Sequence, residues 1–173
     1  MRIEPYPADT FDLGATRAGR AVTLEPMTDD AAAALGEITP TFGPWVQYGF
    51  SAAAMTRAFA PAIDNGCRYQ ARVAGDLAGA MIIRNPWLIG PYLQTLAVLP
   101  AWQSSGIGGR MLGWFEARAR LAKQRSIWLC VAGFNTDAQR FYRAHGWEHV
   151  ADLPDLIADG VGEQLMRKRL NVP

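Results

Sequence analysis

The sequence predicts a single α+β (α/β) domain built around one mixed sheet. Half of the 173 residues are hydrophobic and 19% are charged, as in a globular chain with one sizeable core. Runs of period two alternate with helical runs along the chain, and no repeat or low-complexity linker divides it. We therefore expect an irregular lead-in at residues 1–20 and one domain at residues 21–173.

The first half of the domain predicts a strand, two helices and the start of a hairpin. Residues 21–25 alternate apolar and polar side chains, and a polar cap then precedes an alanine-rich helix that ends near Ile38. Residues 39–50 contain two prolines and two glycines, so we expect no regular element there, although four aromatic side chains crowd into it. Ser51 then caps a second helix that runs toward Ile63.

The second half predicts most of the sheet. From Cys67 the period changes to two, with a Gly75-Asp76 turn between the arms of a hairpin, and residues 92–99 are apolar on both faces, as in a central strand. The remaining predicted elements are a helix at residues 107–123, a strand at 126–132, a helix at 135–144, and strands at 147–151 and 163–170.

Composition excludes several classes of function. Seventeen Lys and Arg against sixteen Asp and Glu give a net charge of +1, so no overall field favours nucleic acid or an anionic membrane. The apolar runs are too short for a spanning helix, and the first residues lack the core of a secretory signal. Cys67 and Cys130 form no CxxC pair, and Gly146 separates His145 from His149. We expect a cytoplasmic protein without a metal, a nucleic-acid partner or a membrane partner.

Residues 96–110 join a buried strand directly to a helix through glycines. Such a junction directs several backbone N–H groups and the positive helix end at one spot, which favours a phosphate or pyrophosphate ligand. The alternative is a tight turn that binds nothing. The sequence of this stretch does not match the dinucleotide-binding fingerprint, because Met111 occupies the position that needs a glycine or alanine. It does not match a P-loop either.

Two motifs identify a family resemblance. Gln103-Ser-Ser-Gly106-Ile107-Gly108 resembles the Q/R-x-x-G-x-G/A signature of the GNAT superfamily of acetyl-CoA-dependent acyltransferases. A second stretch resembles that family's strand, its Asn-x-x-Ala-x-x-Phe-Tyr helix and its Gly-aromatic ending: Trp128 to Val131, Asn135, Ala138, Phe141-Tyr142 and Gly146-Trp147. The likeness covers roughly residues 21–170. It implies a GNAT-like acyltransferase domain with a mixed, mostly antiparallel central sheet flanked by helices.

The resemblance implies that acetyl-CoA binds along the central strand and the glycine-rich loop. The main chain of Leu96, Ala97 and Val98 would pair with the pantetheine arm, and Asn135 would contact the cofactor from the next helix. The residues implied to hold the pyrophosphate are Gln103, Ser104, Ser105, Gly106, Ile107, Gly108 and Gly109. Arg110 either reaches a phosphate oxygen or lies on a solvated helix face.

The resemblance also implies a catalytic residue. Tyr142 follows Asn135 by seven residues, the spacing at which the family carries the tyrosine that contacts the cofactor and protonates the departing thiolate. The alternative is a core tyrosine whose hydroxyl is hydrogen-bonded at the edge. Members that acetylate protein N-termini carry a glutamate where this chain has Cys130, which is either a small core residue or a nucleophile. Open candidates for the base are Glu25, Tyr92 and Gln94.

An aromatic loop lies where the family's acceptor-binding segment usually lies. Its residues are Phe42, Trp45, Tyr48 and Phe50, and we expect the last three to bind substrate. Few acids flank the loop, so a compact, partly apolar amine fits better than a polycation.

We therefore expect an N-acetyltransferase that moves an acetyl group from acetyl-CoA to a primary amine of a small molecule, by direct attack in a ternary complex. The alternatives are acetylation of a protein lysine or N-terminus, and a non-catalytic CoA-binding module. The family also makes a homodimer plausible.

Overall fold

The computed structural model describes residues 6–61 and 66–171. Eight strands form one sheet: β1 (Phe11–Ala15), β2 (Ala21–Pro26), β3 (Gly66–Val73), β4 (Asp76–Arg84), β5 (Tyr92–Val98), β6 (Ser126–Ala132), β7 (Glu148–Leu153) and β8 (Glu163–Arg169). Five helices accompany them: α1 (Asp29–Ile38), α2 (Trp45–Tyr48), α3 (Ala52–Phe59), α4 (Ile107–Leu121) and α5 (Thr136–Ala144). Short 3₁₀ turns occupy Thr39–Thr41 and Pro100–Trp102.

The strand order across the sheet is β1-β2-β3-β4-β5-β6-β8-β7. The β5–β6 pair is parallel, and the other neighbouring pairs are antiparallel. The helix α4 makes the crossover between the two parallel strands, as a parallel connection requires. The predicted mixed, mostly antiparallel sheet flanked by helices is confirmed.

The sheet carries helices on both faces. Alternate residues of β4 point to opposite sides: Met81 joins the core beneath α4 and α5, and Ile82 joins the core beneath α1 and α3. The first core includes Met111 and Phe115 of α4, and the second includes Phe59 of α3. Strand β4 is buried on both faces, which explains why it is apolar at nearly every position.

The expectation of an irregular segment over residues 1–20 is wrong for Phe11–Ala15. This stretch forms strand β1, which pairs with β2 at the edge of the sheet. Phe11 packs on Trp114 of α4 with ring centroids 5.0 Å apart, and Tyr6, only 2% exposed, stacks on Phe115. A five-residue strand carries too little alternation to be recognised, and its pairing with β2 and packing on α4 stabilise it. Residues 1–5 lie outside the described residues.

The expectation of no regular element at residues 39–50 is also wrong. The segment contains the 3₁₀ turn Thr39–Thr41 and the one-turn helix α2. Pro40 lies in the first turn of the former and Pro44 immediately precedes the latter, where a proline's missing N–H costs no hydrogen bond. Gly49 ends α2 in the left-handed conformation. The next helix, predicted to run toward Ile63, ends at Phe59, and residues 62–65 lie outside the described residues.

Candidate functional site

A cleft opens in the middle of the sheet between β5 and β6. The two strands pair only over the first two residues of β5, Tyr92 with Trp128 and Leu93 with Leu129 in the middle of β6. Gln94 is the extra residue of a β-bulge against β4, because Leu93 and Thr95 pair with consecutive residues there. A bulge bends its strand, and the two strands separate beyond it. The later residues of β5 therefore have a partner strand on the β4 side only.

A cavity of about 510 Å³ fills one side of this cleft, and we call it the acceptor cavity. Trp45, Tyr48 and Phe50 all line it, so the structure brings together the three residues predicted to bind substrate. The rest of its wall includes residues 94–96 of β5, residues 130–132 of β6, and Leu156, Ile157 and Glu163 from the β7–β8 region. Phe42 instead packs edge-on against Trp45, away from the cavity.

A second cavity of about 480 Å³, the loop cavity, lies where β5 leads into α4. Gln103, Ser104 and residues 106–109 line it. Gly106 precedes the helix with φ 92°, a conformation that favours glycine, and no side chain caps the first turn. The first N–H groups of α4 are therefore free of a capping side chain at the cavity, which is the arrangement that binds anions.

Arg17, which sequence reasoning missed, also lines the loop cavity. Its backbone N–H donates to the Ser105 carbonyl at 3.0 Å, and its Cγ lies 3.6 Å from where a Cβ on residue 106 would be. In the described residues no carboxylate pairs with its guanidinium. No motif indicates this residue, because the hairpin turn between β1 and β2 carries it to the loop.

Arg110 does not line either cavity. Its Nη1 donates to the carbonyl of Leu13 at 2.8 Å and so ties α4 to β1. Two other predicted residues, Ala97 and Ser105, also line neither cavity. Ala97 packs in the core beneath α1 and α3. The Ser105 hydroxyl donates a hydrogen bond to the Trp102 carbonyl. Leu96 and Val98 line the loop cavity.

Asn135 caps α5 at the mouth of the cleft. Its Oδ1 accepts a hydrogen bond from the Ala138 N–H at 3.2 Å, and the residue lines the acceptor cavity. Gln139, one turn further along, donates to the Ala132 and Gly133 carbonyls at 3.0 and 2.9 Å. These bonds anchor α5 to the end of β6 and set the position of the following turn, which carries Tyr142.

Tyr142 lies where the two cavities meet, since it lines both of them together with Leu96 and Ala138. Its side chain is only 8% exposed, and burial raises the pKa of its hydroxyl, which is therefore protonated at neutral pH. Within the described residues no protein group hydrogen-bonds this hydroxyl. The expected partner of an ordinary core tyrosine is absent there, which leaves the hydroxyl free to donate into the cavities.

The three candidates for a base occupy different places. Glu25 lies on β2, away from the cleft, where it contacts Arg72 at 3.4 Å and accepts a hydrogen bond from Gln70. Tyr92 and Gln94 do line the acceptor cavity. Burial raises the pKa of Tyr92, so its neutral hydroxyl is a poor base, and Gln94 accepts a hydrogen bond from Arg84 at 2.6 Å.

The structure places Cys130 in the acceptor cavity beside Tyr92. Burial raises the pKa of its thiol, which disfavours the thiolate that a nucleophilic cysteine needs. Cys130 and Cys67 are not joined in a disulfide, and the Cys67 thiol donates to the Tyr6 carbonyl at 3.2 Å.

Glu163 is the carboxylate that sequence reasoning missed. It opens β8, is 3% exposed, lines the acceptor cavity and accepts a hydrogen bond from Tyr48. It lies far along the chain from both motifs, so only the pairing of β8 with β6 reveals its place.

Residues 6–61 and 66–171 contain no cluster of three or more His, Cys, Asp and Glu side chains that suits a metal. His145 Nδ1 lies 2.8 Å from the Phe141 carbonyl, and His149 pairs with Asp152. In the same described ranges no helix is long and apolar enough to cross a membrane.

Comparison with known proteins identifies the family. The model of the acetyltransferase (GNAT) family matches residues 32–147, which span both motifs and most of the cleft. The chain belongs to the GNAT acetyltransferase family. It is therefore an N-acetyltransferase that depends on acetyl-CoA, and the family predicted from the two motifs is confirmed.

Solved structures share this GNAT fold. The ribosomal-protein-S18-alanine N-acetyltransferase from Escherichia coli superposes with a TM-score of 0.68 at 16% identity, covering 88% of this chain and 96% of that one. A spermidine N-acetyltransferase variant from Vibrio cholerae gives 0.66 at 14% identity, covering 86% and 93%. An aminoglycoside 6'-N-acetyltransferase in complex with coenzyme A gives 0.65 at 17% identity, covering 87% and 98%. No curated protein matches the chain by sequence.

The residues of the cleft fit acetyl-CoA. The free edge of β5 can pair with an extended arm, and the uncapped start of α4 with the cation of Arg17 suits a pyrophosphate. Both features adjoin the loop cavity, which leads past Tyr142 into the acceptor cavity.

Proposed function

We propose that this GNAT acetyltransferase acetylates a primary amine of a small molecule by direct attack in a ternary complex. The observation that carries the proposal is the meeting of two cavities at Tyr142. One cavity has the features of a cofactor site and the other has aromatic walls, so donor and acceptor can be held together at one hydroxyl. Such placement converts a bimolecular step into an effectively unimolecular one.

On the cofactor side, the loop from Gln103 to Gly109 would hold the pyrophosphate, and the main chain of β5 would pair with the pantetheine arm. Acetyl-CoA supplies an acetyl group activated as a thioester. Backbone N–H groups of β5 would stabilise the negative charge that develops on the carbonyl oxygen during attack. Asn135 holds the start of α5 in place for this arrangement, through its hydrogen bond to Ala138.

At the junction, Tyr142 would donate its proton to the departing sulfur. Burial raises the pKa of this hydroxyl, so it is in the acid form that the role requires. No protein acceptor in the described residues competes for its proton. Cys130 is an unsuitable acyl carrier because the same burial keeps its thiol protonated.

On the acceptor side, the geometry favours a small molecule. A cavity of about 510 Å³ lies within the range of small-molecule sites, which span roughly 300–1,000 Å³. Trp45 and Phe50 form one apolar wall, and Leu156 and Ile157, from a separate loop, also line the cavity. Cys130 stands where family members that acetylate protein N-termini carry a glutamate, which further favours a small acceptor.

A transfer assay tests the proposal. Purified protein and acetyl-CoA are incubated with a panel of small primary amines and, separately, with peptides that offer an N-terminal or lysine amine. Release of the CoA thiol and the mass of the product are measured. Transfer to small amines supports the proposal, and transfer to peptides alone contradicts it in favour of protein acetylation. Cofactor binding without transfer to any acceptor indicates a CoA-binding module. A homodimer and a cytoplasmic location stay predictions.

A further inference from the structure

Among residues 6–61 and 66–171, two glutamates are buried, and only one of these two contacts a cation. Glu116 is 6% exposed and contacts Lys168 at 2.6 Å and Arg120 at 3.2 Å. Glu163 is 3% exposed, and in the described residues its carboxylate has a single hydrogen-bond donor, the neutral hydroxyl of Tyr48, and no ion pair. Within the part of the chain that the structure describes, Glu116 therefore has cationic partners and Glu163 has none.

An uncompensated buried carboxylate is costly, because burial removes water without supplying an opposite charge. Burial raises the pKa of Glu163. The hydrogen bond from Tyr48 lowers this pKa but only partly offsets the effect of burial. The carboxylate is not sealed in the core, since it lines the acceptor cavity. A ligand that enters this cavity with an ammonium group would supply the missing cation.

The other residues that line the cavity indicate the charge and the polarity of the ligand. Glu163 is the one carboxylate among the described residues of its lining, and that lining includes no lysine, arginine or histidine. Its walls are otherwise largely aromatic and aliphatic, with Trp45, Phe50, Leu156 and Ile157 among them. A second ammonium group would be buried there without a partner. The cavity therefore suits a ligand with one positive charge and an apolar body.

We propose that Glu163 is the group that anchors the acceptor ammonium and removes its proton, and that the acceptor is a primary monoamine with an apolar body. This inference rests on the proposed function, because it names the base and the substrate class of that same site. Tyr48 is a positioning residue, since it donates to Glu163 while its ring stacks on Phe50 at 5.4 Å between centroids.

The proton and electron balance of the step is complete. Glu163 takes a proton from the ammonium, so an N–H bond breaks, an O–H bond forms and the nitrogen regains its lone pair. The nitrogen forms a C–N bond with the acetyl carbon as the C–S bond breaks, and the sulfur keeps that electron pair and takes a proton from Tyr142. The second amine proton restores the Tyr142 hydroxyl through solvent, and Glu163 releases its proton. The products are an amide, the CoA thiol and one proton.

The groups that surround Glu163 do not titrate in the same pH range, so a pH profile can report the ionisation of Glu163 itself. Tyr48 of α2, Tyr92 of β5 and Cys130 of β6 all have pKa values raised by burial, so they stay neutral through the acidic and neutral range. Asp152 of β7 is exposed, pairs with His149 and lines a small neighbouring cavity together with Glu163. Substitution of Asp152 is therefore the matched control.

The experiment compares wild type, Glu163→Gln and Asp152→Asn. Binding of 2-phenylethylamine without acetyl-CoA is measured by calorimetry, and kcat/KM for the same amine is measured against pH. Because a base must be deprotonated, wild-type kcat/KM should rise with pH through the raised pKa of Glu163. We expect Glu163→Gln to weaken amine binding at least tenfold, to lower kcat/KM about 100-fold and to lose this acidic limb. Asp152→Asn should match wild type, and spermidine should bind poorly to all three.

Amine binding and an acidic limb that survive in Glu163→Gln would overturn the inference, as would equal losses in Asp152→Asn. The acetyl-CoA-induced rise in melting temperature checks that each variant is folded. If Glu163→Gln does not fold, Tyr48→Phe serves as the second variant. Because the Tyr48 hydrogen bond lowers the pKa of Glu163, its loss should shift the acidic limb to higher pH while some activity remains. If wild type acetylates no amine, the proposed function fails, and the calorimetric comparison alone then decides whether Glu163 binds ammonium.

Discussion

At the scale of the residue, burial decides which side chains of the cleft can act. Tyr142, Tyr92 and Cys130 all have pKa values raised by burial, which keeps them protonated. A protonated hydroxyl suits an acid and a protonated thiol does not suit a nucleophile. The same desolvation therefore supports Tyr142 as the proton donor and disfavours an acyl-enzyme on Cys130.

Tyr142→Phe should lower kcat about 100- to 1,000-fold with little change in the KM for acetyl-CoA, because it removes a donor that acts on the leaving group. Steady-state kinetics with an acceptor from the panel measure both constants. Tyr69→Phe is the matched control: Tyr69 is also buried and donates to the Pro7 carbonyl at 2.8 Å, outside both cavities. An unchanged kcat in Tyr142→Phe would make Tyr142 a core residue.

Substitutions of the two arginines near the glycine-rich loop should have different effects in the same kinetic assay. Arg17→Ala should raise the KM for acetyl-CoA about 10- to 150-fold, since a charge-assisted hydrogen bond contributes roughly 1.5–3 kcal/mol. Arg110→Ala should leave this KM near the wild-type value and lower the melting temperature instead, because its guanidinium binds the Leu13 carbonyl of β1. A larger rise in KM for Arg110→Ala than for Arg17→Ala would reverse this assignment.

At the scale of the element, the contact between α1 and α3 positions one wall of the acceptor cavity. Gly36 of α1 lies directly against the backbone of α3, and a Cβ there would lie 2.7 Å from both N and Cα of Thr56. The neighbouring residues Ala54, Met55 and Ala58 of α3 line the cavity. The absence of a side chain at residue 36 therefore allows α3, which carries part of the cavity wall, to pack closely on α1.

Gly36→Ala should lower the free energy of unfolding by about 1–3 kcal/mol, because the backbone of α3 must move to admit the methyl group. Gly113→Ala is the control: this glycine lies within α4 with nothing within 4 Å of the added Cβ, so the change should stabilise by about 0.5–1 kcal/mol. Urea denaturation measures both. Equal effects of the two substitutions would contradict the close contact.

The prediction of elements succeeded where a pattern is long and failed where it is short. Helix α4 and strand β6 are close to the predicted bounds because several turns or pairs of residues carry the period. Strand β1 and helix α2 have five and four residues, and neighbouring elements stabilise them. Their formation depends on pairing with β2 and on packing of the aromatic loop, which no local pattern reports.

At the scale of the whole molecule, a net charge of +1 is compatible with a phosphate-rich cofactor because the relevant field is local. The uncapped start of α4 and the cation of Arg17 lie at one cavity, and the buried carboxylate of Glu163 lies at the other. The two charges are thus arranged for an anionic donor on one side of the cleft and a cationic acceptor on the other.

Acetyl-CoA should stabilise the whole domain, because the site that we propose for it joins β5, α4 and the β1–β2 turn. At a concentration one hundred times its Kd, a ligand of the folded state contributes about 2.7 kcal/mol, which for a chain of this size raises the melting temperature by roughly 5–10 °C. Thermal denaturation followed by fluorescence measures the shift, with adenosine as a control that lacks phosphates. No shift at millimolar acetyl-CoA would contradict the cofactor site.

The sequence by itself determined the features that lie within short stretches of chain. The strand, glycine-rich turn and helix start of residues 96–110 form one contiguous unit, and so does the segment from Asn135 to Tyr142, so their residue types report the family and the cofactor directly. Only the tertiary structure decided the positions of Arg17 and Glu163. They reach the cleft through the β1–β2 turn and through the pairing of β8 with β6, and such contacts between distant residues depend on sheet register and core packing, which leave no motif in the chain.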